Sequence, residues 1–137
     1  MGKKFSCHKI SEGCVTGEAI VSQDSIMFYL IKPETGVFIE PGHSLEGKSI
    51  SQKILIFPSG KGSSVVQADG IYQLMMHKNE PKAMIIQYPE AVLVSSAIIM
   101  ELPMVDKVDP AFYETVKDGD QITVNATEGY IEILDEA

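Results

Sequence analysis

Four apolar residues, Ile54-Leu55-Ile56-Phe57, stop at Pro58 and give way to Ser59-Gly60-Lys61-Gly62-Ser63-Ser64. Beyond this turn Val65, Ala68, Tyr72 and Met75-Met76 recur at helical spacing, with Ile71 and Leu74 widening the apolar face. A strand, a glycine-rich turn and a helix in direct succession constrain the fold more than any other stretch. They demand a sheet that the helix can pack against, and so an α/β layer. The helix is predicted over 64–78. Ser64 with Gln67 three residues on fits a capping box, and Glu80-Pro81 ends the run.

Around that unit the elements are short. Ile26 to Ile31 reads as a buried strand, as do Ala83 to Gln87, Ala91 to Val94 and Ala97 to Leu102. Asp109-Pro110 opens a second helical turn through Val116. Gln121 to Asn125 and Tyr130 to Leu134 alternate with period two. The expectation is one compact α/β domain over residues 1–137, with a mixed sheet and few short helices. A core of that size suits 137 residues of which 45% are hydrophobic.

Charge narrows the partners. The net charge is −8 and all 11 basic residues are lysines. An acidic chain lacks the electrostatic footprint for nucleic acid. The longest apolar stretch, Ala91 to Met100, is too short to span a bilayer, and MGKKFSCHKI carries no signal-like apolar region. Two cysteines without a CxxC suit a reducing cytosol. Without arginine, any clamp on carboxylate or phosphate comes from lysine, from backbone N–H groups or from another chain.

Several motifs lose their meaning in context. Residues 42–49, GHSLEGKS, match the phosphate-loop pattern letter for letter, but the four residues before Ile54 leave no room for the helix that pattern needs. MGKKFS matches a myristoylation pattern without a basic membrane-binding face, and Asn125-Ala126-Thr127 is a sequon with no sign of secretion. Cys7-His8 and Cys14 lack a fourth metal ligand at a recognised spacing. His43 and His77 have no sequence partner and are expected in solvent.

GKGSS keeps its context. Glycines at 60 and 62 can take positive φ and let the backbone approach a ligand, and the following helix supplies unpaired N–H groups. With Ser64 as the cap, Ser63 is left over beside Lys61. Two readings stay open on these features: a site for proton transfer or anion binding, or two serines that merely cap and turn.

The chain resembles the aconitase X swivel-domain family over nearly its whole length. The resemblance runs through Gly17-Glu18-Ala19, Thr35-Gly36, Glu40-Pro41 with His43, Leu45-Glu46-Gly47-Lys48, FPSGKGSS, Glu80-Pro81-Lys82-Ala83, Leu102-Pro103-Met104-Val105-Asp106 and Asp118-Gly119-Asp120. It implies a swivelling β/β/α domain that is the small subunit of a hydro-lyase. The family's proton acceptor falls on Ser63, and Lys61, Gly62 and Ser64 become substrate-binding. Aconitases carry an arginine where Val65 stands here, which puts the anion clamp on an aconitase-like large subunit together with the family's 4Fe–4S cluster. The implied partner is that subunit, in a heterodimer, and the implied location is cytoplasmic. The implied substrate is a small hydroxy acid. The archaeal version is mevalonate 5-phosphate, dehydrated to trans-anhydromevalonate 5-phosphate in isoprenoid precursor synthesis, and a hydroxyproline-type acid is the alternative. A non-catalytic swivel or carrier module is the rival from another class, but mobile carrier loops bear a histidine and GKGSS has none.

Overall fold

A computed structural model describes residues 2–61 and 64–134. Their elements run β1 (Lys3–Ser6), β2 (His8–Ser11), β3 (Cys14–Val21), a 3-10 turn (Phe28–Leu30), β4 (Ile54–Phe57), α1 (Ser64–Met76), β5 (Ala83–Ile86), α2 (Ala91–Ile99), β6 (Met104–Asp106), α3 (Pro110–Thr115), β7 (Gln121–Asn125) and β8 (Tyr130–Ile133). Among the described residues they form one mixed sheet of eight strands in the order β1-β8-β7-β3-β4-β5-β6-β2. Its centre, β3-β4-β5-β6, is parallel. The β7–β8 hairpin continues it antiparallel on one side, and β2 closes the other edge against β6.

Parallel neighbours need a crossover, and helices supply it. Every residue of β4, β5 and β6 is buried, as expected of strands covered on both faces. The pleat divides them. Leu55, Phe57, Met84, Ile86 and Met104 share a core with Ile71 and Leu74 of α1 and Leu93 and Ala97 of α2. Ile54, Ile56, Ala83, Ile85 and Val105 face the opposite way, with Phe112 of α3 and the hairpin residues Ile122, Val124 and Ile131. Each such large side chain contributes roughly 1.5–3 kcal/mol by leaving water.

Two expectations are overturned. Ala91–Val94 and Ala97–Leu102 are not strands: residues 91–99 are the single helix α2. Its buried residues, Leu93, Ser96 and Ala97, lie at i, i+3 and i+4, and the Glu90 side chain caps it by accepting from the Leu93 N–H at 3.2 Å. A run of β-branched residues favours strand locally, but the parallel β5–β6 pair requires a helix between them and tertiary context wins. Ile26 to Ile31 is likewise not a regular strand. Ile26 and Ile31 make isolated bridges to Gly60 and Phe38, and Phe28–Leu30 winds into a 3-10 turn. Burying Ile26, Phe28 and Ile31 while exposing Tyr29 requires that winding, because strict alternation would expose Ile31.

The 3-10 turn packs against α1 at Gly70. A Cβ there would stand 2.6 Å from the Phe28 carbonyl carbon and 2.7 Å from the Tyr29 nitrogen, both backbone atoms that cannot swing aside. Gly70→Ala is therefore expected to destabilise the chain by about 1–3 kcal/mol despite alanine's better helix propensity. Urea unfolding checks the direction, since an ordinary surface helix position would gain stability from the same change.

Candidate functional site

The GKGSS turn leaves the carboxyl end of β4, the edge of a parallel sheet where α/β proteins place ligands. Of its residues, Gly62 and Ser63 lie outside the described residues. Ser64 is already the first residue of α1 rather than the cap outside it. Gln67, the other half of the expected capping box, is buried, and its Nε2 donates to Glu90 Oε2 at 3.4 Å. Because Glu90 caps α2, this bond ties the first turns of both helices to one place.

The root of the turn is pinned from two sides. On one, Ile26 N–H donates to the Ser59 carbonyl and Lys61 N–H to the Ile26 carbonyl, both at 2.9 Å, and the Ser25 and Ser59 hydroxyls bond each other at 2.9 Å. On the other, the Tyr88 and Gln87 N–H groups donate to the carbonyls of Pro58 and Phe57. Gly60 is required for space rather than for φ: it is absent from the left-handed glycines, and a Cβ there would run into the Gln67 amide and stand 2.6 Å from Leu93 Cδ1.

His43, expected in solvent, is only 6% exposed. Its Nδ1 accepts from the Leu45 N–H at 3.0 Å and its Nε2 donates to the Ser25 carbonyl at 3.0 Å, while the ring stacks on Phe38 at 4.7 Å. Those bonds need the tautomer with its hydrogen on Nε2. The histidine thus holds Ser25, which holds Ser59 at the start of the turn. His77 is exposed, as expected. GHSLEGKS is a pair of turns with left-handed Gly42 and Gly47, and no helix follows it.

Lys61, the described candidate from the turn, is not a bare cation. Its Nζ meets Glu40 Oε2 at 2.5 Å. The lysine side chain is 41% exposed and the glutamate only 17%. The other glutamate oxygen, Oε1, is buried without a hydrogen-bond partner among the described residues. Sequence spacing gave no reason to join residues 40 and 61; only the packing of the 38–46 loop beside the turn does so.

The residues present do not fit an iron–sulfur cluster, which needs several thiolates. Among the described residues no group of three or more His, Cys, Asp or Glu could hold a metal ion. Cys14 is exposed on β3, and Cys7 is half-buried far along the chain from the turn. Burial, with the nearby Asp106 carboxylate adding to it, pushes the Cys7 thiol up to about 11, the reverse of what a ligand needs. The same two causes, burial first, push the Tyr113 hydroxyl up to about 12. No helix of the described residues is long and apolar enough to cross a membrane.

A family model for the aconitase X swivel domain matches residues 4–133. The chain belongs to the aconitase X swivel-domain family. The phosphomevalonate dehydratase small subunit of Methanosarcina mazei is 46% identical over 132 residues, covering 96% of this chain and 91% of its own length. That of Thermococcus kodakarensis is 39% identical over 134 residues, covering 97% and 98%. A crystal structure of Thermococcus kodakaraensis aconitase X in its holo-form superposes with a TM-score of 0.89 at 39% identity, covering 98% of this chain and all of that one. The swivel fold that the family resemblance implied is the fold observed.

The two cysteines should separate chemically. With a thiol raised to about 11, only about one Cys7 in a thousand is thiolate at pH 8. Iodoacetamide at pH 8 is expected to modify Cys14 in the folded chain and spare Cys7, with Cys7 labelling rising as pH climbs towards 11 and becoming rapid in urea. Peptide mass spectrometry reads both sites in one sample.

Proposed function

We propose that this chain is the small subunit of a phosphomevalonate dehydratase, a hydro-lyase that converts mevalonate 5-phosphate to trans-anhydromevalonate 5-phosphate. The observation that carries the reading is the near full-length likeness to curated small subunits of that name, at 38–46% identity. The strand–turn–helix at the sheet's carboxyl edge supports it as the chain's own share of an active site.

In this reading the whole chain acts as one swivel domain in the cytoplasm and docks on an aconitase-like large subunit. Dehydration breaks a Cα–H bond and a Cβ–OH bond, forms a C=C bond and releases water. This chain takes the proton: Ser63 Oγ is the acceptor. A serine hydroxyl is far too weak an acid to ionise unaided, so its anion must be stabilised where it sits. Amides of the turn, at Gly62 and Ser64, and the Lys61 ammonium are the local donors, and they double as substrate contacts. The 4Fe–4S cluster belongs to the large subunit in this reading, as does the main clamp on the substrate's anionic groups. A chain without arginine, whose turn lysine is already paired, has little charge left for that clamp.

Co-expression with the large subunit tests the reading. The pair should co-purify and dehydrate mevalonate 5-phosphate in preference to hydroxyproline-type acids, and this chain alone should be inactive. Activity in the isolated chain, or turnover of the hydroxyproline class instead, overturns it.

Within the complex, Ser63→Ala should lower turnover roughly 10²–10⁴-fold, the usual scale for a lost general base. Exchange of the substrate's α-proton with deuterated solvent should fall in step, with the melting temperature nearly unchanged. Lys61→Ala should cost less, because it removes help to an anion rather than the proton acceptor. Near-normal turnover in Ser63→Ala sinks the serine-base mechanism.

A further inference from the structure

Glu40 is held where it is at a cost. Its carboxylate is mostly removed from water, yet only Oε2 has a partner, the Lys61 ammonium, while Oε1 is buried and unpartnered among the described residues. A buried carboxylate with half of its hydrogen-bonding capacity unmet is a poor stabilising device. Lys61, more exposed, could keep its charge in water without Glu40. The pair is therefore hard to explain as a contribution to the fold.

The backbone around Glu40 shows the same investment. Ile39 N–H donates to the Leu30 carbonyl and Gly47 N–H to the Phe38 carbonyl, both at 3.0 Å, and the His43 N–H reaches the Glu40 carbonyl at 3.3 Å. Pro41 follows directly and restricts the glutamate backbone to extended conformations. His43 in turn grips Ser25, whose neighbour Ile26 carries the Lys61 N–H. One short loop thus fixes both ends of Lys61: the backbone through His43, Ser25 and Ile26, and the ammonium through Glu40.

We propose that Glu40 is a positioning residue for catalysis: it holds the Lys61 ammonium in one place at the turn, so that the cation is already aimed when negative charge develops there. The inference rests on the reading of Lys61 as the anion-stabilising group of the proposed dehydratase. An unanchored lysine samples many rotamers and must be ordered at the moment of reaction, whereas an anchored one is ordered beforehand. Glu40 also cancels the lysine's charge at long range, so the pair aids a charge forming within contact distance more than it attracts a distant anion. Its loss should therefore appear in kcat rather than in KM.

The test uses the complex with the large subunit and four variants: Glu40→Gln, Glu40→Asp, Lys61→Met and the double variant Glu40→Gln/Lys61→Met. Glu40→Gln is expected to lower kcat roughly tenfold to a hundredfold, the scale of a misplaced catalytic group, with KM and melting temperature close to those of the wild type. The double variant should be no slower than Lys61→Met, because Glu40 acts only through the lysine. Glu40→Asp keeps the charge one methylene short, so its kcat should fall between wild type and Glu40→Gln. Losses that multiply in the double variant, a rise in KM with kcat intact, a kcat loss explained by a large drop in melting temperature, or wild-type kcat in Glu40→Asp each overturn the proposal. A wild-type complex that dehydrates no substrate overturns the dehydratase reading and this inference with it, whereas an active wild type with multiplying losses removes only the role of Glu40.

Discussion

Three parallel strands buried on both faces set the terms for everything else. β4, β5 and β6 expose no residue, so each face needs its own cover, and the chain between neighbouring strands must climb back over the sheet. That requirement makes α1 and α2, brings both helix starts to the same sheet edge, and leaves the GKGSS turn there beside the Gln67–Glu90 link. The site is a consequence of the topology: a turn between β4 and a covering helix has nowhere else to be.

A rigid sheet does not by itself hold the six-residue connection between β4 and α1 in one shape. That is the work of the long, irregular segment between β3 and β4. It contains no regular strand, yet it buries Ile26, Phe28, Ile31, Phe38, Leu45 and Ile50, which anchor it to the α1–α2 side of the core. From that footing it presents polar groups to the turn: the Ser25 hydroxyl to Ser59, the Ile26 backbone to Ser59 and Lys61, and the Glu40 carboxylate to Lys61. Gly70 belongs to the same construction, since it lets α1 sit against the 3-10 turn of that segment. A segment whose expected strand over 26–31 gives way to turns is thus the structural support of the candidate edge, and its buried apolar side chains fix it there.

The absence of arginine acquires a physical meaning in this setting. The edge offers a lysine whose charge is already matched by Glu40, together with helix starts whose amides are weak, directional donors. Such an edge suits the stabilisation of charge at one atom better than the capture of a multiply charged anion. The membership in a family whose curated relatives are small subunits agrees with that division, since a larger chain can hold the groups this one lacks.

The local sequence determined those elements whose signals are short-range. Period-two alternation marked β7 and β8, the Asp109-Pro110 start marked α3, and the strand, glycine turn and helical repeat marked β4, the candidate turn and α1. Lys61, Gly62, Ser63 and Ser64 stood out only as candidates, because a glycine-rich turn before a helix suits a ligand site as well as a plain connection, and their proposed roles come from the family resemblance. Tertiary structure decided the rest. Residues 91–99, rich in strand-favouring Val and Ile, became a helix because two parallel strands had to be joined across the sheet. Residues 26–31 gave up a strand for a 3-10 turn because their large side chains had to reach one core from a bent backbone. His43 went from an expected surface residue to a buried clamp, and Glu40 met Lys61, because contacts between positions 18 and 21 residues apart are set by how the loop packs and leave no periodic trace in the chain.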